Sequence, residues 1–117
     1  CLCDEYADVV LLDSKVGRDI ERRVVKIAAN GWQTGVHLVL ATQRPSKELF
    51  GALRGQIPSR LAFKVVAPQD SRVIVDEPGA ELLLGPGDLL FKDRGRPVRA
   101  QAPLVTEQTL RTVAQSC

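Results

Sequence analysis

The sequence has 117 residues, enough to bury one hydrophobic core and too few for a complete nucleotide-binding motor. Apolar residues make up 44% of the chain, which excludes a disordered protein. The formal net charge is only +2, so the overall charge does not indicate a nucleic-acid-binding protein. The three cysteines form no C-x-x-C pair and His37 is the only histidine, so a zinc site is disfavoured and a reduced, cytoplasmic setting is expected. No apolar stretch approaches the ~20 residues that span a bilayer, so membrane attachment would belong to other parts of a parent protein.

The first half of the chain predicts a strand, a helix and a second strand. A short apolar segment ends at the acidic pair Asp4-Glu5, and a helix follows that Asp13 or Ser14 can cap and that should end near Asn30-Gly31. The next apolar run, residues 36–41, is typical of a strand buried on both faces, and we expect His37 to be packed in the core. The apolar face predicted for the helix consists of Val16, Ile20, Val24 and Ile27.

The second half predicts short helices between strands and an antiparallel end. Because helices alternate with strands along the whole chain, the fold class is α/β, finished by a small C-terminal β-hairpin. The predicted elements are a short helix capped by Ser46, a strand from Arg60 to Val66, a helix over 71–75 capped by Asp70, a helix over 80–84 after Pro78, hairpin strands at 88–91 and 97–100, and a closing helix capped by Thr106.

Two polar clusters follow apolar segments, Asp4-Glu5 and Thr42-Gln43. Ligands of open α/β sheets bind beyond the carboxyl ends of the strands, so both clusters face one site if the strands are neighbours. Asp4 can then hold Mg²⁺ directly or through water, Glu5 can orient and deprotonate an attacking water, and Thr42 and Gln43 can sense the γ-phosphate. An isolated Asp-Glu dipeptide is more often a solvated chain end or cap, and only the joint placement favours a nucleotide site.

The loop that would grip a triphosphate is missing from the sequence. No G-x-x-x-x-G-K-[ST] motif occurs anywhere in the chain. We therefore interpret the chain as the back half of a larger ATPase domain, and we expect the isolated 117 residues not to hydrolyse ATP.

Four sequence blocks, in this order over about residues 4–100, carry a family resemblance: DEYAD, TGVHLVLATQRP, IPSRLAFKV and QDSRVIVDEPGAELLLGPGDLLF. They resemble the C-terminal half of the motor domain of FtsK/SpoIIIE-type DNA translocases, from the Walker B motif onward. The resemblance implies a partial RecA-like P-loop NTPase core, with a mainly parallel sheet flanked by helices, that uses ATP and Mg²⁺. It also implies a homo-hexameric ring that pumps double-stranded DNA in chromosome segregation or in plasmid and integrative-element transfer.

The resemblance assigns roles to the polar clusters. Asp4 and Glu5 match the Walker B pair, as the Mg²⁺-associated and the catalytic residue, and Gln43, after Thr42, matches the polar sensor. Family members usually carry an arginine finger three residues before the glycine of the Gly-hydrophobic-His-Leu string. This chain has Trp32 there, which cannot neutralise phosphate charge, so a finger at this position is excluded.

The resemblance also places Arg44, Arg54 and Arg72 on two loops that face DNA. Such arginines would contact phosphates rather than bases, because a pump must move over any sequence. Pro68 stands where a lysine is common in the second loop, which removes one phosphate contact. From the sequence alone, Arg72 can instead be a residue at a helix N-terminus that bonds to Asp70 or Asp76.

Two alternative functions stay open at the level of sequence. One is the motor of a type VII secretion system, a related ring ATPase that moves protein. The other is a degenerate, non-hydrolytic module for assembly or DNA contact, which Trp32 and Pro68 favour. Arg60 is not assigned a function, since it can simply pair with a carboxylate.

Overall fold

A two-stranded parallel sheet opens the fold. The computed structural model of the protein describes residues 1–11 and 14–116. Strand β1 (Leu2–Cys3) pairs in parallel with β2 (Val39–Leu40), in the register Leu2 to Val39 and Cys3 to Leu40. The backbone N–H of Ala41 continues the ladder by donating to the carbonyl of Cys3 at 2.9 Å. The two apolar segments that precede the polar clusters are therefore neighbouring strands, and their carboxyl ends meet at one edge.

Two helices connect these strands. Helix α1 (Tyr6–Leu11) begins directly after the acidic pair. Helix α2 (Ser14–Asn30) ends at the predicted position, next to Gly31. The predicted cap at Asp13 or Ser14 lies outside the residues whose side chains the structure describes. The expected apolar face of α2 is only partly covered: Val24 packs against the core, whereas Val16 and Ile27 are 55% and 40% exposed.

Close packing of α1 against α2 depends on Gly17. A Cβ atom added there would overlap the carbonyl oxygen of Val10. We expect Gly17→Ala to lower the free energy of unfolding of the motor domain by about 1–3 kcal/mol, the usual cost of overpacking. Gly55→Ala is the matched control, because no atom of the described residues outside its chain neighbours lies within 4 Å of a Cβ built at Gly55. Thermal unfolding checks the prediction, which is wrong if the two variants unfold at the same temperature.

The apolar run 36–41 is less buried than its sequence predicts. A short 3₁₀ helix (Gly31–Thr34) precedes it, and only Val39 and Leu40 have strand geometry. Val39 is 55% exposed and His37 is exposed, so the expectation of a packed core histidine is wrong. The physical reason is that β2 pairs only with β1 among the described residues, which leaves its far edge and one face uncovered.

Short helix α3 (Lys47–Phe50) follows the site and is capped as predicted. The Ser46 hydroxyl accepts a hydrogen bond from the backbone N–H of Leu49 at 3.1 Å. Leu49 and Leu53 are buried against Tyr6 and the rest of the first core cluster. This packing fixes the position of the loop that carries Arg54.

The antiparallel end has three strands, one more than the predicted hairpin. Strand β3 is shorter than expected and pairs with the hairpin rather than with β1 or β2, in the order β3-β4-β5. Ala62, Val75, Ala80 and Leu83 form a second buried cluster under this sheet. The elements are β3 (Arg60–Phe63), α4 (Pro68–Val75), a 3₁₀ turn (Ala80–Leu82), β4 (Asp88–Lys92), β5 (Val98–Gln101) and α5 (Glu107–Ser116).

Helix α4 begins three residues before its predicted start. Ala67 is its N-cap and Pro68 occupies the first helical position, so the expected cap at Asp70 is wrong. Proline suits that position because its fixed φ is helical and its missing N–H has no partner to lose there. The cap of α5 is as predicted, with the Thr106 hydroxyl accepting from the N–H of Thr109 at 3.2 Å.

The α/β class is confirmed, with the parallel and antiparallel sheets as separate units. Within residues 1–11 and 14–116, none of the helices has both the length and the apolar character needed to cross a lipid bilayer.

Candidate functional site

The two predicted polar clusters come together at the carboxyl ends of β1 and β2. The Thr42 hydroxyl donates a hydrogen bond to Glu5 Oε1 at 2.7 Å. The backbone N–H of Gln43 donates to both carboxylate oxygens of Glu5, at 3.2 Å and 3.1 Å. These residues are 37 and 38 positions apart in sequence. The carboxylate is therefore held in one orientation by the neighbouring strand.

Glu5 has an uncommon backbone conformation. Its φ is 52°, in the left-handed region that non-glycine residues rarely adopt. The N–H of Tyr6 donates to the Ala41 carbonyl at 2.7 Å, and the N–H of Glu5 donates to Asp4 Oδ1 at 3.0 Å. Such conformations cost about 1–3 kcal/mol and persist only where neighbouring contacts fix them, typically at functional sites.

Asp4 is exposed next to this carboxylate. One of its oxygens accepts the Glu5 N–H, and the second has no protein hydrogen bond within residues 1–11 and 14–116. Magnesium usually keeps several waters and takes one or two carboxylates together with substrate phosphates, so a single exposed aspartate fits that ion. The described residues contain no cluster of three acidic, His or Cys ligands, and a bound Mg²⁺ would depend on the nucleotide.

Thr42 also connects the site to Arg44. Its Oγ1 accepts a hydrogen bond from the Arg44 backbone N–H at 3.1 Å while donating to Glu5. The Arg44 guanidinium lies 3.5 Å from Asp8 on α1, with 69% of its side chain exposed. The Gln43 side chain is exposed and makes no hydrogen bond in the described part of the chain, so a γ-phosphate sensor role for its amide stays a prediction.

The other two predicted DNA-binding arginines meet each other, away from Arg44. Nη2 of Arg54 donates to the backbone carbonyl of Arg72 at 2.7 Å and also pairs with Asp76. The Arg72 side chain is exposed and, among the described residues, bonds to neither Asp70 nor Asp76. The structure thus joins the turn after α3 to helix α4 over 18 residues of sequence, so the expectation that Arg72 lies on a loop is wrong. Contact of either arginine with DNA stays a prediction.

Sequence analysis missed the importance of Asp76. It lies just after α4 at φ 68°, and its carboxylate accepts from Arg54, Arg60 and Lys92, the last two at 3.0 Å. Partial burial would raise the pKa of this carboxyl, but hydrogen bonds from Lys92, Arg60 and Arg54 outweigh it and lower the pKa to about 2. The expectation that Arg60 pairs with a carboxylate is confirmed.

Trp32, at the position excluded as an arginine finger, lies in the 3₁₀ helix and is 70% exposed. An indole N–H on an exposed ring offers one neutral donor, which does not replace the charge of a guanidinium.

Comparison with known proteins gives one consistent set of relatives. The chain is 45% identical over 119 aligned residues to the DNA translocase FtsK of Streptomyces coelicolor, covering 99% of this chain and 13% of the relative. It is 44% identical to the DNA translocase FtsK of Tropheryma whipplei, covering 97% of this chain and 15% of that protein. The chain therefore spans about one seventh of the length of these relatives. No family model matches it.

Solved structures show the same fold. The conjugation coupling protein TcpA of pCW3, in its monomer form with ATPγS, superposes with a TM-score of 0.77 at 23% identity, covering 86% of this chain and 30% of that one. The cytoplasmic domain of the type VII secretion ATPase EccC from Thermomonospora curvata superposes with a TM-score of 0.78 at 27% identity, covering 86% of this chain and 12% of that one. The expected RecA-like core is confirmed by these neighbours.

Proposed function

Because this chain belongs to the FtsK family of DNA translocases, we propose that it is the water-activating half of the motor of an ATP-driven double-stranded DNA translocase. The observation that carries the proposal is the Glu5 carboxylate, held by the Thr42 hydroxyl and the Gln43 N–H where two parallel strands end. Ligands of α/β sheets bind at such strand ends. The phosphate-binding half of the site is expected in the parent protein.

In this proposal each polar residue has one task. Glu5 orients the attacking water and accepts its proton, and Thr42 keeps the carboxylate pointing into the site. Asp4 would hold Mg²⁺, which when bound neutralises charge on the phosphate oxygens. The Gln43 side chain is free to turn toward the γ-phosphate, because only its backbone N–H is used to hold Glu5.

We propose that the DNA contact is made by Arg44, Arg54 and Arg72 inside a homo-hexameric ring in the cytoplasm. All three are exposed, Arg44 and Arg54 on loops and Arg72 in the last turn of α4, where guanidinium groups can bind backbone phosphates without reading bases. The family relationship supports DNA as the cargo, with chromosomal and plasmid DNA equally compatible with such contacts.

The likeness to EccC favours a second candidate, a motor of a type VII secretion system. The strand-end site would be the same, but Arg44, Arg54 and Arg72 would contact the protein that is moved. Duplex DNA then would neither bind in a strongly salt-dependent way nor stimulate turnover.

ATP hydrolysis by the full-length protein, with and without duplex DNA over a range of salt, tests the proposal. We expect DNA to raise turnover several-fold, and the logarithm of its affinity to fall linearly with the logarithm of salt concentration. Turnover without any DNA binding would favour the secretion motor. Absence of turnover in both conditions would instead support a non-hydrolytic module, as the loss of a finger at Trp32 suggests.

A further inference from the structure

We propose that Asp76 is a positioning residue for the DNA contact: it holds Arg54, in the turn after α3, against the backbone of Arg72 on α4, so that the two segments bind the phosphate backbone as one unit. The inference rests on the proposed DNA-translocating function. It concerns a residue outside the nucleotide site.

The Arg54 side chain is directed by two acceptors at once. Its Nη2 donates to the Arg72 carbonyl at 2.7 Å and pairs with the Asp76 carboxylate. A guanidinium has five donors in a rigid plane, so fixing Nη2 orients the remaining N–H groups. With 40% of the Arg54 side chain exposed, those groups remain accessible to a phosphate.

Asp76 can direct Arg54 because it is itself anchored to the antiparallel sheet. Nη2 of Arg60 on β3 and Nζ of Lys92 on β4 each lie 3.0 Å from Asp76 Oδ2, with only 17% and 15% of their side chains exposed. Arg60 is fixed further by donating from Nη1 to the Ile74 carbonyl at 3.1 Å. The half-buried cations therefore fix one carboxylate oxygen, and the other oxygen, Oδ1, faces the more exposed Arg54.

The charge of this cluster also suits an anionic partner. Three cationic side chains surround one carboxylate, so the group of Arg54, Arg60, Lys92 and Asp76 has a net charge of +2. The exposed Arg72 adds a further positive charge beside it. A carboxylate at the centre reduces the repulsion between these cations and lets them stay close together, which leaves the outer N–H groups preorganised for phosphate oxygens.

Neutralising Asp76 separates a positioning role from a simple electrostatic one, because the two roles predict opposite changes in the affinity for duplex DNA. Asp76→Asn makes the protein more positive by one charge, so electrostatics alone predicts tighter binding of duplex DNA. Positioning predicts weaker binding. We expect the Asp76→Asn variant of the full-length protein to bind duplex DNA about 3- to 10-fold more weakly, with a log affinity against log salt slope smaller by about one phosphate contact.

Asp88→Asn is the matched control. Asp88 is a buried carboxylate of the same sheet that accepts from Arg99 at 2.9 and 2.6 Å and from the Leu84 N–H at 2.7 Å. The Arg99 guanidinium lowers the pKa of this carboxyl to about 2, much as at Asp76. Asp88→Asn makes the same charge change without touching Arg54, so we expect its DNA affinity to be unchanged or higher.

Variants of Arg54 test the same inference without altering the anchor. Arg54→Lys keeps the charge but loses the other guanidinium N–H groups, which the fixed Nη2 orients for a phosphate, so positioning predicts a loss of affinity close to that of Arg54→Ala. If Asp76 acts through Arg54, Asp76→Asn should weaken binding no further in an Arg54→Ala background. The comparison of Arg54→Lys with Arg54→Ala still tests the inference if Asp76→Asn fails to fold, which thermal unfolding of each variant would reveal.

The outcomes distinguish the inference from the function on which it rests. Equal affinities for Asp76→Asn and Asp88→Asn, or wild-type affinity for Arg54→Lys, would overturn the positioning role while Arg54→Ala still weakens binding. If Arg54→Ala and Arg72→Ala both bind duplex DNA as the wild type does, the proposed DNA contact itself fails.

Discussion

In the full-length protein, Glu5→Gln is expected to retain ATP while its turnover falls by about 10²–10⁴-fold, the range that general base catalysis contributes. The amide keeps the size of the side chain, and its oxygen can still accept from the Thr42 hydroxyl and the Gln43 N–H. It cannot take a proton from water. Steady-state hydrolysis together with equilibrium binding of a labelled ATP separates these two effects.

Glu48→Gln supplies the matched control, since it makes the same chemical change on an exposed side chain in the first turn of α3. Its turnover should equal that of the wild type. If Glu5→Gln hydrolyses ATP at the rate of Glu48→Gln, Glu5 is not the base, and the proposal loses its central residue. Weakened ATP binding in Glu5→Gln would instead point to a role in holding the nucleotide.

The strand-end site of Glu5 and Thr42 was predictable because it depends on local order along the chain. Two apolar segments, each followed by polar residues, predict a shared site on condition that the strands are neighbours, and the pairing of β1 with β2 meets that condition and brings Glu5 to Thr42. The left-handed conformation of Glu5 was not predictable, since no glycine or asparagine signals it. It results from tertiary hydrogen bonds that only the folded strands supply.

Burial was predicted less well than secondary structure. The run 36–41 is apolar enough for a strand covered on both faces, yet the described chain provides neither a second neighbouring strand nor a layer over Val39. Hydrophobic patterning reports what a segment can bury, and not which other segments are present to cover it. The same reasoning explains why His37 is exposed.

The Asp76 cluster was invisible in the sequence for a different reason. Its cations come from the loop after α3, from β3 and from β4. Arg54 precedes Asp76 by 22 residues, and Lys92 follows Asp76 by 16 residues. Charge patterning along a helix reveals pairs three or four residues apart, whereas these partners depend on how β3 joins the hairpin. That pairing is the feature of the fold that the sequence reasoning missed.

The Thr42 hydroxyl links Glu5 of the strand-end site to the loop that carries Arg44. Removing this hydroxyl should therefore impair turnover more than nucleotide binding. Thr42→Val deletes the 2.7 Å bond to Glu5 and the 3.1 Å bond from the Arg44 N–H while keeping the shape of the side chain. A hydrogen bond to a charged group contributes about 1.5–3 kcal/mol, so we expect kcat for ATP to fall about 10- to 100-fold with little change in KM.

Thr42→Ser keeps the hydroxyl and should retain most of the wild-type turnover, which makes it the control for packing. The ratio of rates with and without duplex DNA adds a second readout, because the same hydroxyl accepts from the backbone of Arg44. If the strand end couples DNA contact to the orientation of Glu5, Thr42→Val should lose DNA stimulation as well as basal turnover. Wild-type kinetics in Thr42→Val would show that the Gln43 N–H alone holds the carboxylate, and the hydroxyl would then have only a local role in the turn.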